Sequence, residues 1–461
     1  MGGMFEDRSG RLPDRRPLKG YGAAVFVGPD GPRVFVGGYG TDNRLLAPDG
    51  TGSVADVTPE ALADPHGHAF GVVAADVDAD GTEELYVHNS DAYGGIATET
   101  DRLFDWTARG WRDVFTLPVN AGRENVRAGR SVAAVDRLGT GRYGLLLACY
   151  GAPMRFYELG DDDEVTDMAE EVGVDFLTGG RSLVVGPIVT DRTDVFVGNE
   201  RGPNYLLRNE RGHFTDVAAE FGLDAPSEHA RGVALVDPDG DGRFDLAVGN
   251  WEEPNRIYER RGDGFVDVAP AAWREPTRTR TVLAADFDND GTCELFANAM
   301  GAPNRLLRHR DGEWTVGDPG AAREPRGLGT GATVCDVDGD GTLELLVVHG
   351  ELGSQPLSLY AAPTENEWLR VRPVTEYGAP ARNAVVTLRT DRGAQTRLVC
   401  GGSGYLCQIE PVAHFGLGGD TAPLATPREV TVRWPDGRVR TVETPASETE
   451  LTVHHPATRD P

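Results

Sequence analysis

Four times along the chain, aspartates at alternate positions run into a glycine and then, three residues on, another acid. These loops begin at Asp76, Asp237, Asp286 and Asp336, and the last three lie 49 and 50 residues apart. A recurrence of that period calls for a chain of repeated supersecondary units, each burying its face against the next. Weaker copies of the unit fall at Asp136, near Gly186 and near Val25, which makes seven units.

Every unit carries the same order of signals. A small-apolar run comes first, such as Gly71-Val72-Val73-Ala74-Ala75, and the acidic loop follows. A second run, Leu85-Tyr86-Val87 in that unit, leads towards a turn. In later units a glycine-proline turn opens a third run, as in Asn204-Tyr205-Leu206-Leu207. The unit ends on an alternating segment such as Phe214-Thr215-Asp216-Val217. Strands covered on both faces read as apolar runs, and an outer strand alternates. Four short strands per unit make a propeller blade. The expectation is therefore an all-β chain with a seven-bladed β-propeller over residues 21–365. The seventh unit stops after its third strand near Leu357-Ser358-Leu359-Tyr360, whereas Phe5-Glu6-Asp7-Arg8 resembles the missing fourth. Within an N-terminal segment 1–20, residues 4–8 are expected to complete the last blade, because an unpaired edge invites aggregation.

The loops have the chemistry of an all-oxygen cation site. Ligand positions 1, 3, 5, 7 and 9 are Asp76, Asp78, Asp80, Thr82 and Glu84; Asp237, Asp239, Asp241, Arg243 and Asp245; Asp286, Asp288, Asp290, Thr292 and Glu294; and Asp336, Asp338, Asp340, Thr342 and Glu344. Acids at 1, 3, 5 and 9 and the position 7 carbonyl suit Ca²⁺, which takes six to eight oxygens, and the glycine at position 6 permits the sharp bend. About four calcium sites are expected. An EF-hand is excluded: its twelfth position must be a glutamate between helices, and here it is Val87, Val248, Ala297 or Val347 inside a strand. Three loops have lost the pattern. Asp136-Arg137-Leu138-Gly139-Thr140-Gly141 keeps only the first acid, Gly186 to Asp194 only the last, and Gly28-Pro29-Asp30-Gly31 reads as a tight turn.

The formal charge of −28 argues against nucleic-acid and anionic-membrane partners. Lys19 is the one lysine. An acidic chain almost without lysine looks like a halophilic, haloarchaeal protein, for which concentrated salt screens the self-repulsion. No apolar stretch is long enough for a transmembrane helix. The N-terminus lacks the apolar core of a secretory signal, which gives a cytoplasmic location by default. Cys149, Cys293, Cys335, Cys400 and Cys407 are too few and scattered for a disulfide framework. Cys400 and Cys407 flank a Gly-Gly-Ser-Gly turn and read as a hairpin pair or as two buried thiols.

The acidic loops, with their strand-glycine-asparagine ends, resemble the FG-GAP/VCBS repeats of integrin α-subunit propellers. Beyond the propeller, Trp368-Leu369-Arg370-Val371, then Gly401-Gly402-Ser403-Gly404-Tyr405-Leu406-Cys407-Gln408, His414-Phe415-Gly416-Leu417-Gly418 and Trp434-Pro435-Asp436-Gly437-Arg438 are similar to the ASPIC/UnbV domain. An FG-GAP propeller followed by that domain is the arrangement of the cartilage acidic protein family. The resemblance implies calcium at the loop positions named above and a cell-surface or extracellular location. Read from its own pattern, 366–455 alternates over Val385–Arg389, Arg397–Val399 and Val430–Trp434, which suits six to eight strands in a small β-sandwich or barrel. Residues 456–461 form a tail.

Nothing in the chain matches a nucleophile elbow, a phosphate loop or a zinc motif, which favours a binding module for a protein or glycan over an enzyme. The alternative is an enzyme or small-molecule-binding protein that uses the propeller channel or the interdomain groove, with calcium structural. Its strongest support is the recurrence of Arg130, Arg181, Arg231 and Arg280 at matching places near the first strands. They either hold an anion at the channel mouth or, as the bland reading prefers, pair with the neighbouring acidic loops. His414, beside Phe415 and a glycine turn, is expected to be structural.

Overall fold

The computed structural model describes residues 3–28 and 31–458. The turn expected at Gly28-Pro29-Asp30-Gly31 and the end of the tail therefore fall partly outside the described residues. The first strands of the seven units are Gly20–Gly28, Ala69–Ala75, Gly129–Val135, Leu177–Gly186, Ala230–Val236, Thr277–Ala285 and Gly329–Cys335. They pack on one another in that order, and Gly20–Gly28 packs on Gly329–Cys335 to close the ring. From each first strand the chain meanders outward through antiparallel neighbours, giving seven blades. Blade 2, for example, runs Ala69–Ala75, Glu84–Asn89, Arg102–Thr107 and Gly110–Asp113. The two inner strands are almost wholly buried because flanking blades cover both faces, which is why their sequences lack polar alternation.

One side-chain device recurs in the turns. The Oδ1 of Asn43, Asn204, Asn255 and Asn304 accepts the backbone N–H five residues upstream, at 2.8, 2.9, 2.8 and 2.9 Å. Each bond holds the turn between second and third strands, so the asparagine beside the glycine-proline signal is structural.

The last blade is built from both ends of the chain. Glu6 pairs with Ala361 and Asp7 with Tyr360, outside Gly329–Cys335, Glu344–His349 and Ser358–Ala361. Phe5 is 3% exposed and sits edge-on to Phe287 and Phe296, with ring centroids 4.9 and 6.0 Å away. Burying such a ring anchors the terminus by about 3 kcal/mol.

The C-terminal domain is a sandwich of two sheets. Ala413–Gly418, Glu367–Val374 and Thr449–His454 form one; Gly393–Leu398, Val385–Thr390, Pro427–Arg433 and Val439–Glu443 form the other. Leu369, Val386, Leu388, Phe415, Val430 and Trp434 fill the space between them. All five cysteines are buried free thiols, so Cys400 and Cys407 are unpaired.

The segment read as a simple hairpin turn, 401–408, is instead a plug in the propeller axis. The carbonyl of Gly401 accepts from Ala134 N–H (2.7 Å), that of Leu406 from Val72 (3.1 Å) and that of Gln408 from Val25 (3.0 Å). Gly404 exchanges two backbone bonds with Val233, both 2.7 Å. Gln408 Oε1 accepts from Ala74 N–H (2.9 Å), and its amide donates to Ala74 O (3.0 Å). First strands of the ring use one edge on the second strand, and their free edges face the axis. The plug satisfies those edges.

Candidate functional site

Each of the four acidic loops leaves a first strand and curls back before the second. Positions 4 and 6 both adopt left-handed backbone: Ala79 and Gly81, Gly240 and Gly242, Asn289 and Gly291, Gly339 and Gly341, with φ between 55° and 98°. This double reversal turns three carboxylates inward. In each loop three ligand oxygens lie within 4.8 Å of one another, from Asp76, Asp78 and Glu84; Asp237, Asp239 and Asp241; Asp286, Asp288 and Asp290; and Asp336, Asp338 and Glu344. Asp80, Asp245, Glu294 and Asp340 stand outside those groups.

The remaining loop residues are held in register around them. Glu84, Glu294 and Glu344 each give one oxygen to the N–H of position 2, at 2.7, 3.1 and 2.8 Å. The second oxygen of Glu84 is buried without a partner, as are one oxygen each of Asp286, Asp288 and Asp338, among the described residues. The position 5 aspartates accept from the N–H of Thr82, Arg243, Thr292 and Thr342 at 2.7 to 2.9 Å. Asp245, one methylene shorter than its glutamate counterparts, instead accepts the N–H of Arg260 at 2.7 Å. Orphaned buried carboxylate oxygens cost a few kcal/mol each, so the donor set fits a hard cation.

Burial first, and behind it the repulsion of neighbouring acids, pushes these groups above the usual carboxylate range, against backbone bonds and arginines that pull the other way. Asp76, Asp286 and Asp245 are pushed up to about 7, Asp78, Asp237 and Asp336 to about 6, and Glu344 to about 8. A raised folded-state value gives stability that is present below the unfolded value near 4 and lost as pH rises through 6 to 8. Cation-free protein is therefore expected to lose stability from pH 5 to pH 8. A divalent cation competes with protons for the same oxygens, so the rise in melting temperature that it confers is expected to grow over that interval. Thermal melts at both pH values, with and without chelator, check the sign.

Two of the lapsed loops keep a bonded turn. Asp136 accepts from the N–H of Gly139, Thr140 and Gly141 at 2.8, 2.9 and 2.8 Å, and Asp194 from Val189 and Thr190 at 2.9 and 2.8 Å. A single acid saturated by backbone donors replaces the cluster.

The face carrying the loops is the floor on which the C-terminal sandwich sits. Gly416 N–H donates to Asp286 at 2.9 Å, and Arg370 lies 3.3 Å from Asp336. Buried His414 uses Nε2 against Asn289 Oδ1 at 2.6 Å, and the Asn289 amide donates to the Gly341 carbonyl at 3.0 Å. Burial, then Arg370 and Arg397, holds His414 well below its ordinary range, so the ring is neutral and Nε2–H is the donor. His414 thus ties two acidic loops together. Arg382, fully buried, donates to Glu83 at position 8 of the first acidic loop (2.6 Å), to Cys400 O and to Val25 O.

The acidic loops do not recruit the four recurrent arginines, which corrects the bland reading of those residues. Arg130, Arg181, Arg231 and Arg280 lie at the other end of the first strands and line one cavity of about 320 Å³. Glu200 is the carboxylate of Arg181 and, at 3.2 Å, of Arg231; Glu351 pairs with Arg280. The geometry has a local cause. All seven blades shift register once between first and second strands, and the first residue skipped in each is Tyr21, Phe70, Arg130, Arg181, Arg231, Arg280 or Thr330. A bulge turns its extra side chain off the pleat, and all of these but Thr330 line the channel mouth. The sequence period pointed to the arginines. It held no signal for Tyr405, which the plug carries up to them.

Residues 375–460 match the ASPIC and UnbV family, and residues 191–248 and 237–297 match the FG-GAP-like repeat. Cartilage acidic protein 1 of Mus musculus is 41% identical over 473 residues, spanning 95% of this chain and 72% of the relative. That of Homo sapiens is 41% identical over 485 residues, spanning 95% and 73%. Among solved structures, the BP39L lectin from Burkholderia pseudomallei aligns with a TM-score of 0.49 at 13% identity, covering 75% of this chain and 96% of the lectin. YCF48 bound to D1 peptide aligns with a TM-score of 0.45 at 9% identity, covering 78% and 94%.

Proposed function

Because the chain belongs to the family of cartilage acidic protein 1, we propose that it is a calcium-binding interaction module whose metal ions lock the propeller and its C-terminal sandwich into one rigid body. The observation that carries this reading is the set of four carboxylate groups, each with three ligand oxygens within 4.8 Å, at equivalent corners of four blades. The three gathered carboxylates of each loop, Asp76, Asp78 and Glu84 in the first, hold the ions. Asp80, Asp340 and the carbonyls of Thr82, Arg243, Thr292 and Thr342 add the outer ligands, with Asp245 and Glu294 closing their own loops.

Calcium is favoured over magnesium because the donors are many, flexible and wholly from protein, whereas magnesium retains water and demands strict octahedral geometry. The ion's role is structural: it neutralises like charges that otherwise repel across a turn. A ring so stiffened presents preformed loops to a protein or glycan partner with little ordering cost on binding. No helix among the described residues is long and apolar enough to cross a membrane.

Calorimetric titration of EGTA-stripped protein with calcium tests the reading. Saturable binding at about four sites, with magnesium a weak competitor, is the expected result. Heats no larger than those of dilution would contradict it. The interaction role is checked by glycan-array and cross-linking binding in calcium and in EGTA, where the complete lack of a calcium-dependent binder would count against it.

A further inference from the structure

We propose that the channel mouth at the end of the ring remote from the acidic loops binds a small organic oxyanion, a carboxylate or phosphate ester with a flat apolar body. The ring of bulge positions divides into two arcs. Tyr21 and Phe70 supply an aromatic arc, their ring centroids 4.5 Å apart, and Tyr39 packs on both at 5.4 and 5.3 Å. Arg130, Arg181, Arg231 and Arg280 supply a cationic arc. In a chain of net charge −28, four guanidiniums share this cavity with Glu200 and Glu351, with Asp91 at the rim. Cations exceed carboxylates by one even when all three acids are counted.

The arginines are built in rather than solvated. Their residues are 3 to 5% exposed. Arg130 stacks on Phe70 at 4.3 Å, Arg181 on Tyr150 at 4.4 Å and Arg280 on Trp251 at 4.4 Å, contacts that fix the planes of the forks. Two donors are left over: the Nε of Arg231 and the Nε of Arg280 are buried and have no hydrogen-bond partner among the described residues. Arg130 donates to the carbonyls of Gly129 and Tyr93 and has no carboxylate partner among the described residues. Buried guanidinium donors without acceptors are costly, and an oxyanion supplies the acceptors in the bidentate geometry that arginine matches.

Tyr405 completes the site from the second domain. Its oxygen accepts from Arg280 at 3.4 Å, which leaves its O–H for a bound anion. Burial alone raises a phenol, but the fields of Arg181, Arg280, Arg231 and Arg130 outweigh it and lower Tyr405 instead. That reversal reports the positive potential an entering anion meets. The rim is open, since Tyr93 is 58% exposed, and about 320 Å³ lies at the lower end of small-molecule pockets.

Phenyl phosphate, benzoate and inorganic phosphate are the probes, titrated into the calcium-loaded full chain by calorimetry at low chloride. Phenyl phosphate and benzoate are expected to bind saturably with 1:1 stoichiometry, and inorganic phosphate more weakly, because it leaves the aromatic arc empty. Arg231→Gln and Arg280→Gln are each expected to weaken phenyl phosphate about tenfold or more. Tyr405→Phe, which retains the packing of the plug, is expected to weaken it several-fold, and Phe70→Leu to weaken phenyl phosphate more than inorganic phosphate. Lysine replacements that keep the charge and the fold but lose the fork are expected to fall between wild type and glutamine. No saturable binding of either organic anion to wild type would overturn the proposal. So would affinities unchanged in Tyr405→Phe and in whichever arginine variants remain folded by circular dichroism.

Discussion

Removal of calcium with EGTA is expected to lower the melting temperature by on the order of 10 °C at pH 7.5. At a free concentration one hundred times its dissociation constant, each independent site adds about 2.7 kcal/mol. Four sites then add about 11 kcal/mol as an upper bound, spread over a chain whose melting entropy is large, so each kcal/mol moves the midpoint by a degree or two. The loops are not equal. Arg308 approaches Asp288 at 2.9 Å, and Arg11 approaches Asp338 at 2.8 Å, so these two loops carry part of their own counter-charge. Among the described residues no ion pair reaches the acids at positions 1, 3, 5 and 9 of the loops at Asp76 or Asp237; in the first, Arg382 pairs with Glu83 at position 8. Asp78→Asn and Asp239→Asn are therefore expected to abolish the calcium response of their own loops and to raise the stability of the stripped protein, because each removes a repulsive charge. Differential scanning calorimetry with and without chelator measures both effects.

Arg382→Ala is expected to cost about 3 to 5 kcal/mol and to detach the sandwich from the ring. Both side chains of the Arg382–Glu83 pair are 0% exposed, and truncating one partner leaves the other charge buried and unpaired. The same cut strands the carbonyls of Cys400 and Val25, the latter on the first strand of blade 1. The double variant Arg382→Met, Glu83→Gln is expected to recover most of the loss, since replacing both members of a buried pair is often close to neutral. Chemical denaturation gives the energies. Limited proteolysis between residues 361 and 367 reports the detachment. A double variant no more stable than Arg382→Ala would show that the pair is not what couples the domains.

The parts of this molecule legible in its sequence are those where a local demand is repeated. A turn that gathers Asp336, Asp338 and Glu344 needs left-handed residues at Gly339 and Gly341 whatever lies elsewhere, so the motif shows wherever the demand persists. The all-β propeller follows because the period of those turns is the length of a four-stranded blade. The sandwich was legible for the same reason, through the alternation in Val385–Thr390 and Pro427–Arg433. What stayed hidden depends on distant partners. Gly401-Gly402-Ser403-Gly404 looks like a hairpin turn because a hairpin and an axial plug both need glycine. Only the free edges of strands more than a hundred residues away distinguish them. Arg382 looks like a surface arginine, since nothing beside it in the chain announces Glu83. The four recurrent arginines were visible as a period, but their partners were misjudged: the acidic loops are near in sequence and at the opposite end of the same strands.

The count of calcium ions per chain bears most directly on the central claim that the acidic turns cage metal. Native mass spectrometry of desalted protein, repeated for Asp76→Asn, Asp237→Asn, Asp286→Asn and Asp336→Asn singly, gives that count. Four ions in wild type and one fewer in each variant is the expected pattern. A chain that carries no calcium after exposure to it, or a count indifferent to all four substitutions, would contradict the account.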